Sequence, residues 1–257
     1  MITHPNVKLN LGLSVIRRRE DGFHDLETLF VPYTGISDTL EIVPADAFSI
    51  DILRKEGVDW DPQQDLTAKA YRLLEADFHI PPVHIRLTKT SPVGAGLGGG
   101  SADAAFALRM LNDLFGLSLD DGTLASYAAR LGSDCAFFIY NRPMLGSGRG
   151  EILTPYDIDL SGYEIQVVVP EGIAVSTREA YGGITPREKL TEAPVALMDA
   201  LSLPVGEWKN ALVNDFEATV FKAHPELATI KRSLYDSGAI YAAMSGSGSA
   251  LFALYRR

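Results

Sequence analysis

The chain has 257 residues, 46% of them hydrophobic and 22% charged, with a formal net charge of −10 at pH 7. That length and apolar content are enough for a substantial core in one large or two modest domains. The acidic balance argues against a nucleic-acid surface. No apolar run approaches membrane-spanning length, and no secretory signal opens the chain. A single cysteine, Cys135, leaves no internal disulfide, which fits a reducing cytoplasm.

In chain order, Val7–Ile16 is the clearest strand. Val7, Leu9, Leu11, Leu13 and Val15 point one way. Lys8, Asn10, Gly12 and Ser14 point the other, so Lys8 and Asn10 share a face about 7 Å apart. A lysine there is either an edge residue reaching water or a functional charge. Arg17–Gly22 reads as a charged turn, and the Phe23-His24 pair after it fits a core aromatic on spacing alone. Thr39–Val43 and Phe48–Leu53 read as strands, Asp65–Phe78 as a helix, and Val83–Lys89 as a strand whose alternation suits a half-exposed sheet. Helices are expected over Ser101–Phe115 and Asp120–Leu131, and Leu145–Leu153 reads as extended chain. Tyr163–Val169 is a further strand, and several helices fill Ser176–Asp236. Ile240–Met244 and Ala250–Tyr255 form a hairpin around the small residues Ser245–Ser249. The order is α+β, with a boundary near Pro155–Gly162 that divides the chain into 1–158 and 159–257.

The richest segment is Pro92–Ala105, PVGAGLGGGSADAA. Gly94, Gly96, Gly98, Gly99 and Gly100 run into Ser101 and Asp103, and Ala104, Ala105, Leu108, Leu111 and Phe115 then recur at helical spacing. A helix start with little side-chain bulk in front of it carries roughly half a positive charge and several free N–H groups, and suits a phosphate. A flexible linker is the plain alternative. The P-loop is excluded because Gly100-Ser101-Ala102 has no lysine. Gly94, Gly96 and Gly99 match GxGxxG, but Leu117–Gly132 reads as a turn and a helix where a dinucleotide fold needs a second parallel strand. Downstream, Asp134 follows Gly132-Ser133 where the chain enters an apolar stretch, Cys135–Ile139. It is either a turn-capping residue or a carboxylate whose surroundings tune it for proton transfer. Cys135 itself reads as a small core residue. His4, His24, His79, His84 and His224 show no metal-ligand spacing, so no metal ligands are assigned.

The segment Pro92-x-x-Ala-Gly-Leu-Gly-Gly-Gly-Ser101 closely resembles the phosphate loop of the GHMP small-molecule kinases. Two other segments resemble further motifs of that family: Val7–Leu11 followed by Arg18-Arg19-Glu20-Asp21-Gly22-Phe23-His24, and Met244–Ser249 near the end. The resemblance spans almost the whole chain. It implies a GHMP kinase fold, with an N-terminal domain like ribosomal protein S5 domain 2, a C-terminal ferredoxin-like α/β sandwich and an active site between them. It implies ATP and Mg2+ as cofactors. Pro92, Val93, Gly94, Ala95, Gly96 and Leu97, continuing through Gly98, Gly99, Gly100, Ser101 and Ala102, would bind the ATP phosphates, with Lys89 and Asp65 bordering the adenine. Asp134 would be the catalytic base, because Gly-Ser-Asp-Cys-Ala-Phe-Phe resembles the family's Gly-Ala-Asp-Val-Pro-Phe-Phe, and Lys8 would pair with it.

The second motif is similar to that of the branch acting on cytidine diphospho-methylerythritol in the non-mevalonate isoprenoid route. There Asn10, Phe23, His24, Thr177 and Tyr181 would bind the acceptor. Phe23 stands where tyrosine is common, Asp65 where asparagine is common, and Ala102 replaces a frequent serine. Other readings are a kinase for a different small alcohol and a non-catalytic nucleotide-binding protein on the same fold. The Phe23-His24 segment speaks against the first, and the presence of both Lys8 and Asp134 against the second. The expected partner is a small molecule, with no nucleic acid and no membrane, and the protein is expected to be a cytoplasmic monomer or weak homodimer.

Overall fold

Alternating apolar runs in the first third of the chain give way to helical periodicity, and the secondary structure follows that change. A computed structural model describes residues 1–192 and 194–257. Along the first part run β1 (Ile2–Thr3), β2 (Asn6–Arg18), β3 (His24–Ser37), β4 (Thr39–Pro44), β5 (Ser49–Arg54), α1 (Leu66–Phe78), β6 (Val83–Lys89), α2 (Gly99–Leu114), α3 (Asp121–Leu131) and α4 (Cys135–Tyr140). There follow β7 (Met144–Ser147), β8 (Ile152–Pro155), β9 (Tyr163–Val168), α5 (Thr177–Gly182), α6 (Leu197–Ser202), α7 (Trp208–Ala211), α8 (Glu217–Ala223), α9 (Pro225–Asp236), β10 (Tyr241–Met244) and β11 (Leu251–Arg256). The chain folds as two compact units, each made of three segments. One comprises Met1–Lys8, Pro32–Val93 and Gly98–Arg142, the other Leu9–Val31, Gly94–Leu97 and Pro143–Arg257.

In the first unit the sheet order is β1-β4-β6-β5, with β6 antiparallel to β4 and parallel to β5. The inward residues Leu40, Ile42, Ile85 and Leu87 are fully buried, while Arg86 is exposed, so the sheet is half-exposed as its alternation predicts. Helix α2 packs against α1, α3 and α4. Its alanines and leucines, Ala104, Ala105, Leu108 and Leu111, are buried, as are Leu74 on α1 and Phe137 and Phe138 on α4. Asp65 and Asp120 cap α1 and α3 by accepting from the amides of Thr67 (2.9 Å) and Thr123 (2.7 Å). Helix α2 instead begins at Gly98 with no side-chain cap, which leaves its first amides open.

In the second unit β9, β11 and β10 form an antiparallel sheet in the order β10-β11-β9. Leu13, Val15, Phe216, Val220, Leu227, Leu234, Met244 and Leu251 build its core. A second sheet runs β2-β3-β7-β8.

Four local features differ from the sequence expectation. No element is expected over 24–37, yet β3 fills it, lying between β2 and β7 in its sheet and running on through Pro32 and Gly35. Leu145–Leu153 is two strands, β7 and β8, turned at Gly148 and Gly150, whose φ values are +68° and +107°. The apolar stretch after Asp134 is a helix, α4. β2 ends its sheet, yet Lys8, Asn10 and Ser14 are all buried, which removes the reading of Lys8 as an edge residue reaching water.

Candidate active site

In the first unit the uncapped start of α2 lies beside a buried lysine. Gly98 has φ +73°, and a Cβ there would stand 3.1 Å from the Phe138 ring and 3.3 Å from Lys8 Cε. The left-handed backbone therefore favours glycine, and a Cβ would also press on Phe138 and Lys8. Lys8 Nζ lies 3.6 Å from Asp134 Oδ2, and the two side chains are 4% and 31% exposed. Burial pulls the Lys8 ammonium below the ordinary lysine range, and Asp134 opposes that shift. Asp134 stands at the N-cap of α4 but makes no capping hydrogen bond with its side chain. Its carboxylate is instead engaged by Lys8 and by the Ser133 hydroxyl, which donates to Oδ1 at 3.3 Å. Adjacent Cys135 is fully buried, and burial pushes its thiol up to about 12, so it is a core residue and no thiolate nucleophile.

Lys89 lies under the same helix start, buried at the end of β6. Its ammonium donates to Asp38 Oδ2 (2.5 Å), Asp103 Oδ2 (2.6 Å) and Ser91 Oγ (3.0 Å). Asp103 of the glycine motif is thus an interior anchor. Asp38, which the sequence reading does not single out, is the other half of this cluster. Asp65 is occupied at the start of α1: Oδ1 accepts from the amide and hydroxyl of Thr67, and Oδ2 from the Trp60 indole at 3.1 Å. Pro92 and Val93 precede the loop, and Val93 is exposed. Gly99, Gly100, Ser101 and Ala102 form the first turn of α2.

In the second unit, the loop segment Gly94–Leu97 is held by the turn between β10 and β11. Ser245 Oγ donates to the Gly96 carbonyl (3.2 Å), and the Ala250 amide donates to the Ala95 carbonyl (3.1 Å). At Gly96, φ is +77° and a Cβ would lie 2.2 Å from the Ser245 carbonyl oxygen. The small residues of Met244–Ser249 are there because backbone meets backbone. Asn10 is buried and donates to Thr28 Oγ1 (3.0 Å), which in turn donates to the Gly12 carbonyl (2.6 Å).

The acceptor candidates divide. His24 stacks on Tyr181, with centroids 4.7 Å apart and 19° between planes, and Tyr181 meets Phe216 edge-on. Partial burial and the nearby Arg18 both push the His24 imidazole below its ordinary range. Phe23 is 54% exposed, so it is no core aromatic, and the Arg149 guanidinium lies 4.9 Å from its ring centre. Thr177 is exposed in the first turn of α5, which Ser176 caps. Arg149 is a further residue that the sequence reading leaves out, and only its place in the turn after β7, where Gly148 and Gly150 tighten the chain, would have drawn attention to it.

The sequence pattern of the GHMP kinases N terminal domain matches residues 65–142, and that of the GHMP kinases C terminal matches residues 198–257. A 4-diphosphocytidyl-2-C-methyl-D-erythritol kinase of Bacteroides fragilis is 48% identical over 99% of this chain and 92% of its own. A solved 4-(cytidine 5'-diphospho)-2C-methyl-D-erythritol kinase superposes with a TM-score of 0.81 at 34% identity, over 99% of this chain and 90% of that one. A homoserine kinase from Cytophaga hutchinsonii shares the fold at a TM-score of 0.72 and 17% identity, over 98% of this chain and 85% of its own. Sequence patterns and fold define a GHMP kinase, an enzyme whose phosphoryl donor is ATP. Within that class the chain belongs to the 4-diphosphocytidyl-2-C-methyl-D-erythritol kinase family.

Proposed function

We propose that the chain transfers the γ-phosphoryl group of ATP to the 2-hydroxyl of 4-diphosphocytidyl-2-C-methyl-D-erythritol, in the cytoplasm. The observation that carries this is the Lys8–Asp134 pair beside the glycine that opens α2. Phosphoryl transfer needs held phosphates, neutralised charge and an oriented hydroxyl whose proton has a destination. The open amides at Gly99, Gly100 and Ser101 suit the phosphates. Asp134 accepts the proton as the acceptor oxygen bonds to the γ-phosphorus, and the bond from that phosphorus to the β,γ-bridging oxygen breaks to leave ADP. Lys8 pairs with the carboxylate and offsets the charge that builds on the transferred group.

Magnesium fits as an ion carried by the nucleotide. Among the described residues no three metal-binding side chains cluster, and magnesium on phosphates keeps several waters and needs at most one or two carboxylates. When bound, it would neutralise phosphate charge, with Asp134 as the nearby carboxylate. For the acceptor, the exposed ring of Phe23 offers a stacking surface for a base. A neutral His24 imidazole presents one donor and one acceptor nitrogen to a polar base edge. Tyr181 fixes the plane of that imidazole, and Thr177 supplies a hydroxyl nearby on α5.

The test is ATP consumption by the purified protein with magnesium and the cytidyl acceptor, beside mevalonate, homoserine and galactose. Turnover confined to the cytidyl acceptor supports the reading. Turnover on another alcohol instead would remove Phe23 and His24 from acceptor recognition.

A further inference from the structure

Two aspartates share the Lys89 ammonium inside the first unit, and their surroundings are unequal. Asp38 accepts four hydrogen bonds. Oδ1 takes the amides of Thr90 (2.6 Å) and Ser91 (2.7 Å), and Oδ2 takes Lys89 Nζ (2.5 Å) and the Ser91 hydroxyl (2.6 Å). Every neighbour of that carboxylate is a donor, so the site is built for an ion with no proton of its own. Asp103, 1% exposed, accepts one hydrogen bond from Lys89 on Oδ2, and its Oδ1 has no partner. One lysine cannot neutralise two buried carboxylates, and the one with fewer donors is the one that gives up its charge. Burial accordingly raises the Asp103 carboxyl well above the ordinary range, Lys89 notwithstanding. Burial would raise Asp38 too, but Lys89 and the Ser91 bonds outweigh it and hold Asp38 low.

The cluster sits directly beneath the turn expected to receive phosphate. A Cβ on Gly99 would lie 2.3 Å from Ser91 Oγ and 3.4 Å from Lys89 Nζ. Asp103 belongs to α2, while Lys89 and Ser91 belong to β6 and the chain just after it, so the bonds tie the start of the helix to the end of the strand.

We propose that Asp38 and Asp103 are unequal positioning residues for nucleotide binding: Asp38 as the charged partner of Lys89, and Asp103 as a neutral hydrogen-bonding tie that seats the first turn of α2. This rests on the phosphate role given above to that turn. An asparagine can replace a neutral carboxyl group that accepts a single bond. It cannot replace Asp38, because its NH2 would face donors on one side.

The experiment compares D38N, D103N and D103L with the unchanged protein. Binding of a non-hydrolysable ATP analogue with magnesium, KM for ATP and KM for the cytidyl acceptor are each measured. D103N should keep analogue affinity within about twofold, whereas D38N and D103L should weaken it by about tenfold or more, the scale of leaving a buried charged partner unsatisfied. Acceptor KM should stay within about twofold in every variant, which a general loss of structure would not allow. D103N as damaging as D103L would show that the charge of Asp103 is used and overturn the proposal. Unchanged analogue affinity in D103L, with its melting temperature recorded, would overturn it as well, even if D38N failed to fold. If the affinities move as expected while no acceptor is phosphorylated, the proposed reaction fails and the positioning roles stand.

Discussion

At the scale of single residues, the consequence of the Lys8–Asp134 geometry is sharp. Asp134→Asn should abolish turnover, a loss of about a hundredfold or more, while ATP binding persists, since the proposed base is removed and the phosphate-facing helix start is untouched. A fully active variant would remove Asp134 from the mechanism. Phe23→Ala should raise KM for the acceptor about tenfold and leave KM for ATP unchanged, because base stacking is worth about 1–3 kcal/mol. Equal changes in both constants would mean that the ring only supports the chain. Asp134, Lys8 and Phe23 stood out because their segments resemble motifs of the family, whereas spacing alone left each with a plain structural reading. Asp38 was not. It is an acidic residue between two strands, and only the register of β4 against β6 brings it to Lys89 and Ser91.

At the scale of elements, the glycine loop is two pieces with different constraints. Gly96 is locked by φ +77° and by the Ser245 carbonyl oxygen 2.2 Å from any Cβ, whereas nothing lies within 4 Å of a Cβ on Gly100. Gly96→Ala should therefore lower stability by roughly 1–3 kcal/mol, read as an earlier denaturant midpoint, and Gly100→Ala should change it by less than about 0.5 kcal/mol. Equal midpoints would show that the loop yields at Gly96 without cost. Most elements were legible because helical and strand periods are written in neighbouring residues. β3 was not, since Pro32 and Gly35 interrupt its pattern and its neighbours in the sheet, β2 and β7, come from other parts of the chain. The polar face of β2 stayed ambiguous for a related reason. Lys8 fits an edge residue or a functional charge equally until Asp134, its partner, arrives from a distant part of the chain.

At the scale of the whole molecule, the raised Asp103 carboxyl makes stability depend on pH with a definite sign. Over the window between the ordinary carboxylate range and its raised value, the folded protein binds a proton that the unfolded chain has released. Stability therefore falls as pH rises through that window. Asp103→Asn removes this term, so the variant should gain on the unchanged protein as pH climbs from about 4 toward neutrality. Urea midpoints that run parallel across that range would refute it.

The two compact units were not legible as segments, because each is assembled from three stretches of chain and neither has a boundary that composition marks. That interleaving bears on biosynthesis. As the nascent chain leaves the ribosome, residues 9–31 emerge long before residues 143–257, which share their unit. Lys8 likewise waits for Asp134 before its charge has a partner. The apolar face of β2 is thus made early and covered late, and a ribosome that stalls midway holds out an unfinished strand for chaperones or for aggregation.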